Sequence, residues 1–573
     1  MKSGAHSISD GVVVRDGELF MKWSGYAAIK LKIVLKDFQV CGLKALHMKR
    51  DVVIMEATGS GKSTVFQIPV MMFEAGQFAL VIIPTVALAQ DHLRNLREMN
   101  IRATFLTSTS SKVDRSKVVD PSIPKDQRPS VVILTPETLF GSDIQDGVIQ
   151  QLDHKNIQLV VIDEAHTMFE WESFRSAFKH LKNIRPSFSC PILALSATLK
   201  PTNLAAIQRI LNHPVVIKGG VNRKNIIFRI APYRLAKKGN AWSSVALQII
   251  DLAKDQLTIV YCAYAKACNE ISLHLSQLGI QSSCYTGAQT TANDKQEIYR
   301  SMQSGQIKIL VATKAFGLGI NLPDVRNVIH IGIPDSLSLW VQEAGRAGRN
   351  GQQAYAHLLI NENEDLKKLS YWVKKSTDST HIPSMVEDFL TSWNYISKAF
   401  TGDCLRSFQM QYFEDSGNPE TMTDGLCCSG CDIRANYPAK NIEKEIRAVL
   451  GCIRALNENG IRKVYEGTIV KWISGIYDID YISSHFNNEE LEREPTYGFL
   501  SNLTRIQSKL TVKGILRQAF SLKYVSLEVQ CLSDSQVMAK FWLLTDLGVD
   551  VIDESVKPPD LPDPAGITSV LIS

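Results

Sequence analysis

The chain contains no uninterrupted apolar run of about 18 residues, so the sequence offers no membrane-spanning helix. Its first residues, Met1-Lys2-Ser3-Gly4-Ala5-His6-Ser7, lack the apolar stretch of a secretory signal. Strong charge of either sign is missing: 63 Lys and Arg stand against 58 Asp and Glu, a net charge of +5. That balance permits a nucleic-acid partner without arguing for one, because a local basic groove would have to supply the attraction. No internal repeat of short period is present. Cysteine is sparse, 11 in 573 residues, and with no secretory signal reduced thiols in an intracellular protein are expected. The source, if eukaryotic, implies the nucleus. Cys41, Cys190, Cys262, Cys268, Cys284, Cys452 and Cys531 sit mostly in apolar contexts and read as core residues. A cluster from Cys404 to Cys431 stands apart.

What is present points elsewhere. A chain of 573 residues is too long for one core, and its composition, 45% apolar and 21% charged, is that of an ordinary globular protein. Residues 27 to 215 alternate short apolar strands with helical stretches, with strands expected at 52–55, 79–84, 131–135, 158–163 and 191–196. The segment Pro214 to Arg223 reads as a connector. The alternation then resumes, with strands expected at 257–262, 307–312, 327–331 and 355–360. Two tandem α/β domains with parallel sheets follow from that pattern. Ligands in such sheets bind at the C-terminal strand ends. Beyond residue 365 the pattern is helical, and the tail from Lys557 to Pro564 is Pro-rich and expected to be extended.

The sharpest motif is Ala57-Thr58-Gly59-Ser60-Gly61-Lys62-Ser63-Thr64, between the apolar run Val52–Met55 and a helical start at Val65. Strand, Gly-rich turn and helix make a phosphate cradle, in which backbone N–H groups face anionic oxygens. Lys62 would reach the outer phosphates and the Ser63 hydroxyl would ligate Mg²⁺. Glu56 stands where the general pattern has its first Gly. Val160-Val161-Ile162-Asp163-Glu164-Ala165-His166 ends a second apolar strand in paired acids. Asp163 is placed to hold Mg²⁺ and Glu164 to polarise an attacking water. Together they read as nucleotide hydrolysis. Arg346 and Arg349, one helical turn apart in Gln342–Arg349, then read as a γ-phosphate neighbour and an arginine finger supplied by the second domain, worth about 10³–10⁵ in rate in other NTPases. The plainer alternative for this pair is a surface ion-pairing helix.

Ala57–Thr64, Asp163–His166, Ser196-Ala197-Thr198 and Gln342–Arg349, in this order, resemble the motifs of superfamily 2 helicases. Phe66-Gln67-Ile68-Pro69, Ala312–Arg326 and Val328–Pro334 are similar to the RecQ type in particular. The resemblance implies two RecA-like motor domains (27–215 and 216–365) after an N-terminal extension (1–26). A helical zinc-binding subdomain (366–440), a winged-helix domain (441–545) and a Pro-rich tail (546–573) would follow, with no further accessory domain. It implies ATP-driven 3′-to-5′ movement on single-stranded DNA and the unwinding of forked duplexes in repair or recombination. Gln39 stands where the family reads adenine, with Lys36 where the family usually has Arg. Gly317 and Asp324 fall in the RecQ-like run beside the nucleotide. His166, Ser196, Thr198 and Gln342 would couple ATP to DNA. The stretch Thr167–Arg175 resembles the aromatic-rich loop, which nominates Trp171, Phe174 and Arg175 for base stacking. Pro84, Thr85 and Gln90, then Thr135, Pro136 and Glu137, and finally Thr286 and Thr313 match places where helicases hold the backbone, although each is weak alone.

The cysteine cluster matches the family's zinc site at Cys404, Cys428 and Cys431. Arg434 occupies the fourth place, and Cys427 is the substitute. A three-cysteine site completed by another residue, or a site without metal, remains as the alternative. Other readings of the whole chain are an RNA helicase or duplex translocase of the same superfamily, and a non-catalytic DNA-junction scaffold.

Overall fold

Two parallel sheets follow one another along the chain, each buried between helices. The computed structural model describes residues 7–8 and 33–564. Outside it lie 108–109, 111–114, 142–147, 172–174, 237–240, 288–291, 318–321, 376–380, 418–426, 475–495, 532–537 and a few shorter gaps.

The first sheet comprises β1 (Ser7–Ile8), β2 (Val52–Met55), β3 (Phe78–Ile82), β4 (Ala103–Leu106), β5 (Val131–Leu134), β6 (Ile157–Ile162), β7 (Ile192–Ser196) and β8 (Val215–Lys218). Their order is β1-β8-β2-β7-β6-β3-β5-β4. All neighbours are parallel except β1 on β8. β2 and β3 are buried along their whole length, because helices cover both faces. The two-residue alternation splits them cleanly. Val53, Met55, Leu80 and Ile82 enter one core, and Val52, Ile54, Ala79 and Val81 the other.

The second sheet comprises β9 (Ile226–Pro232), β10 (Thr258–Cys262), β11 (Ser282–Tyr285), β12 (Ile309–Ala312), β13 (Asn327–Ile331) and β14 (Ala354–Ile360), in the order β11-β12-β10-β13-β14-β9, all parallel.

The expected connector is a correction: Val215–Lys218 is a strand paired with β2, so the first sheet runs past residue 215. A four-residue run followed by Gly219-Gly220 carries too little pattern to be told from a linker.

Helices Glu362–Lys375, Ile382–Phe400, Leu405–Tyr412 and Ser429–Asn436 pack on the second sheet. Helices Glu443–Glu458, Glu466–Ile473 and Arg505–Ser521 follow, then the antiparallel hairpin β15 (Val525–Cys531) and β16 (Met538–Leu544). Arg517 is wholly buried, its guanidinium 4.7 Å from the Trp393 ring and 5.1 Å from the Trp542 ring, with Glu466 Oε2 at 3.4 Å. A buried charge needs such a partner.

The Pro-rich tail is packed onto the rest of the chain. It opens with helix Asp546–Ile552, and Leu561 is buried and bridged to Lys440. The Pro562 carbonyl accepts from Gln518 Nε2 at 2.8 Å. Proline content marked the segment as extended but could not show that it is packed. Among the described residues no helix is long and apolar enough to cross a membrane.

The helical region ties the two sheets together. Lys200, from the first domain, pairs with Asp388. Buried Arg406 donates to the carbonyls of Arg223 (2.9 Å) and Ile226 (2.5 Å) and to the Asn222 side chain. This matters because the catalytic cleft lies between the sheets.

Candidate active site

The turn after β2 has the backbone its glycines suggest. Gly59 and Gly61 adopt φ +80° and +91°, which an L side chain rarely adopts. A Cβ on Gly61 would also stand 2.9 Å from Gln39 Nε2. Lys62 Nζ donates to the carbonyls of Glu56 (2.7 Å) and Ala57 (3.1 Å). Ser63 and Thr64 open the helix Thr64–Val70. The Ser60 hydroxyl is buried and has no hydrogen-bond partner among the described residues.

Gln39 braces this turn. Its Nε2 donates to the Gly61 carbonyl at 2.8 Å, and its Oε1 accepts from Lys36 N at 2.8 Å. Lys36 Nζ donates to the Ser60 carbonyl at 2.8 Å. Both residues touch the phosphate loop, and the Gln39 amide spends both its functions on backbone.

At the end of β6, Asp163 is buried, and Oδ2 lies 2.8 Å from His92 Nε2. His92 was not foreseen. Its signal was its place directly after Gln90-Asp91, on the helix Val86–Glu98. Burial disfavours the charged imidazole, but the bond to Asp163 and its charge outweigh burial and raise the His92 pKa. Burial likewise opposes charge on Asp163, and the His92 bond overcomes it, so the carboxyl titrates below its usual range. Glu164 adopts φ +51°, a strained backbone for a non-glycine residue. Its Oε2 lies 3.4 Å from His166 Nδ1, which is 3.1 Å from Ser196 Oγ. Ser196 Oγ donates to the Thr198 carbonyl. The expected coupling residues thus form one buried chain.

The second domain closes on this face. Gln342 Nε2 donates to Glu164 Oε2 at 3.4 Å. A Cβ on Gly59 would meet Arg349 Cδ at 3.9 Å, so Arg349 lies against the Gly-rich turn. Arg346 is buried beside it. The turn carrying them is held by two residues that sequence reading missed. Arg223 donates to the carbonyls of Gly345 (2.9 Å), Ala347 (3.2 Å) and Gly348 (2.9 Å), and Asn225 Nδ2 to that of Gly348 (2.8 Å). Gly348, at φ +59°, has no room for a side chain, since its Cβ would stand 2.3 Å from Asn225 Nδ2. Asp324 accepts from Nδ2 of Asn350, one residue after Arg349, at 2.6 Å, and Gly317 ends the short helical turn Lys314–Gly317.

Electrostatics say what this cleft wants. Burial, then the charges of Arg346 and Arg223, hold the Arg349 guanidinium below its ordinary range. Burial also lowers the Lys62 ammonium, against the pull of Glu164, Asp163 and Glu56. Buried cations converging on a Gly-rich turn are relieved by a polyanion, and a nucleotide triphosphate fits that requirement. Asp163 and Ser63 would hold the accompanying Mg²⁺, which would supply positive charge against the phosphates.

The DEAD/DEAH box helicase family matches residues 36–207, and the helicase conserved C-terminal domain matches residues 243–351. A Caenorhabditis briggsae protein, provisionally named ATP-dependent DNA helicase Q1, is 30% identical over 466 residues, covering 79% of this chain and 72% of that protein. The chain belongs to the RecQ-type family of ATP-dependent DNA helicases. The mouse bifunctional 3'-5' exonuclease/ATP-dependent helicase WRN is 29% identical over 68% of this chain, which spans 28% of that longer protein. Among solved structures, the Mycobacterium smegmatis helicase Lhr aligns with a TM-score of 0.48 at 19% identity, over 71% of this chain and 56% of that one.

In this RecQ-type helicase the nominated DNA-facing residues divide. Thr85 caps helix Val86–Glu98, its Oγ1 accepting from Leu88 N at 3.3 Å, and Gln90 is exposed on that helix. Thr135 and Pro136 are buried at the end of β5. Arg175 clamps Glu137 through Nε (2.6 Å) and Nη2 (2.7 Å), and donates to the Pro84 carbonyl at 2.5 Å. It also lies over the rings of Trp171 (5.0 Å) and Phe178 (4.7 Å). Arg175, Glu137 and Pro84, nominated from separate motifs, are therefore one bonded unit, and Trp171 packs against the core of the first domain. Thr286 and Thr313 end adjacent strands of the second sheet, with Thr313 N donating to Tyr285 O at 3.1 Å. Phe174 lies outside the described residues.

The four cysteine sulfurs of Cys404, Cys427, Cys428 and Cys431 lie within 4.8 Å of one another. Cys427 Sγ stands 3.4 Å from Cys404 Sγ and 3.5 Å from Cys431 Sγ, a few tenths of an ångström inside the edge of roughly 3.8 Å that a tetrahedral site has when each Zn–S bond is about 2.3 Å. Arg434, in the place of the family's fourth ligand, has its Nη2 3.6 Å from Cys431 Sγ. The donor set fits zinc, with Cys427 as the fourth ligand. Leu405 N donates to Cys428 Sγ at 3.2 Å, supporting that thiolate.

Proposed function

We propose that this RecQ-type helicase hydrolyses ATP between its two motor domains and thereby moves 3′ to 5′ along single-stranded DNA, unwinding forked duplex ahead of it. The observation that carries this reading is the placement of Arg349 and Gln342, both from the second domain, on the phosphate loop and Glu164 of the first. An arginine supplied across a cleft makes hydrolysis conditional on closure. Opening and closing against a strand held by both domains is what a motor requires. In this scheme Lys62, Arg346 and Arg349 bind and stabilise the phosphates and Glu164 positions the attacking water. His166 with Ser196 and Thr198 relays closure. The hydroxyls and backbone at the C-terminal strand ends hold the DNA.

The three helices and hairpin of residues 443–544 support a winged-helix domain placed at the fork. Zinc on Cys404, Cys427, Cys428 and Cys431 would act structurally. We assign the work to DNA repair or recombination, and to the nucleus if the source is eukaryotic. Strand displacement on duplexes with a 3′ or a 5′ single-stranded tail tests the direction, with the 3′-tailed substrate expected to be unwound. Unwinding of only the 5′-tailed substrate, or ATPase activity stimulated by RNA and not by DNA, would overturn the reading.

A further inference from the structure

On the second domain, at the same edge of the sheet as Thr286 and Thr313, stands an aromatic cluster that the motifs do not include. Tyr264 follows β10, and Tyr371 and Trp372 lie on helix Glu362–Lys375 after β14. The Tyr264 and Trp372 rings stack at 15° with centroids 6.5 Å apart. The Tyr371 ring meets both edge-on, 5.2 Å from Tyr264 and 5.4 Å from Trp372. Tyr371 is nevertheless 42% exposed. An aromatic ring held by two others while presented to solvent has lost its side-chain entropy already, and so is prepared to bind. Lys314, directly after Thr313, sits with Nζ 5.1 Å above the Trp372 ring.

Trp372 also lines a cavity of about 290 Å³ between the domains, with Trp171 of the aromatic-rich segment on its opposite lobe. The Trp372 Nε1 donor is buried and has no hydrogen-bond partner among the described residues. Charge near the cluster is balanced rather than positive. Asp335 is paired with Lys314 (3.1 Å) and Lys368 (2.8 Å), and Asp388 with Lys200. Such a place does not attract phosphates. It suits the apolar face of a base.

We propose that Tyr264, Tyr371 and Trp372 form a nucleobase-stacking platform for the single-stranded DNA held by the second motor domain, with Tyr371 as the contact face. This rests on the helicase reading above. Stacking is indifferent to sequence and adds affinity without neutralising phosphates, so its loss leaves the salt dependence of binding unchanged.

The test measures binding of an oligothymidylate, and of the same strand with abasic sites, to the full chain by fluorescence anisotropy over a range of salt. Tyr371→Ala is expected to weaken binding of the intact strand about five- to a hundredfold. The slope of log affinity against log salt stays the same, and Tyr371→Phe retains wild-type affinity. Wild-type protein should bind the abasic strand about as weakly as Tyr371→Ala binds the intact one. Unchanged affinity in Tyr371→Ala, or an equal loss on intact and abasic strands, would overturn the platform while leaving the helicase reading intact. Failure of the wild-type chain to bind either strand would instead overturn both.

Discussion

Gln342 Nε2, on the second domain, donates to the same Glu164 oxygen that stands 3.4 Å from His166 on the first. Glu164, proposed above to position the attacking water, thus contacts its own lobe and the opposite one at once. Gln342→Ala is expected to lower the DNA-stimulated kcat about tenfold or more while leaving the KM for ATP near its wild-type value. Steady-state ATPase assays with and without single-stranded DNA check this. A raised KM with unchanged kcat would place Gln342 in nucleotide binding instead.

The phosphate loop and the finger make separable contributions. Lys62→Ala should abolish DNA-stimulated ATPase and unwinding yet leave DNA binding. Arg349→Ala should cost about 10³ or more in kcat, the range seen for arginine fingers, because the charge it stabilises develops only in the transition state. Single-turnover hydrolysis of bound ATP separates that loss from weaker nucleotide affinity.

The His92–Asp163 pair carries a pH signature. His92 has a raised pKa, so its contribution to stability is full below the ordinary imidazole value and is lost as pH rises through the raised folded value. Asp163 has a lowered pKa, so its contribution is present above the ordinary carboxylate value and is lost as pH falls through the lowered folded value. The pair therefore stabilises most in mildly acid solution, between the ordinary carboxylate and imidazole values. Thermal unfolding midpoints measured in pH steps should fall on the alkaline side in the wild type. His92→Gln should start lower and lose that alkaline step.

Metal analysis of protein purified without chelator should find about one zinc per chain, the stoichiometry of a four-thiolate structural site. Cys427→Ser is the informative variant, because it removes the ligand that stands in for the family's fourth position. It should lose zinc and lower the unfolding midpoint. Full zinc occupancy in Cys427→Ser would point to a site completed from elsewhere.

Long apolar strands and phosphate-facing motifs were legible in the sequence because their chemistry is local. β2, β6 and β7 lie within a residue or two of their expected positions, and the Ala57–Thr64 turn has the backbone its glycines imply. The short strands β4, β8 and β11 were not foreseen, since four residues carry no decisive period. Arg223, Asn225 and His92 escaped notice for another reason. Each acts on a segment distant in the chain, and a lone Arg, Asn or His carries no pattern that names its partner. Arg175 was nominated for a nucleic-acid contact by the loop it falls in, a reading that could not show its bonds to Glu137 and Pro84.

The cysteine cluster has a consequence beyond the metal it could hold. β9 is the outermost strand of the second sheet, and Phe228 N on that strand donates to the Cys427 carbonyl at 3.2 Å, while Ile230 N donates to Ser429 Oγ at 2.8 Å. The loop therefore shields an otherwise sticky margin of backbone donors. Oxidation of these thiols would strip that shield and leave a bare strand able to recruit another chain, so oxidative damage in this helicase should show itself as self-association before the motor domains unfold.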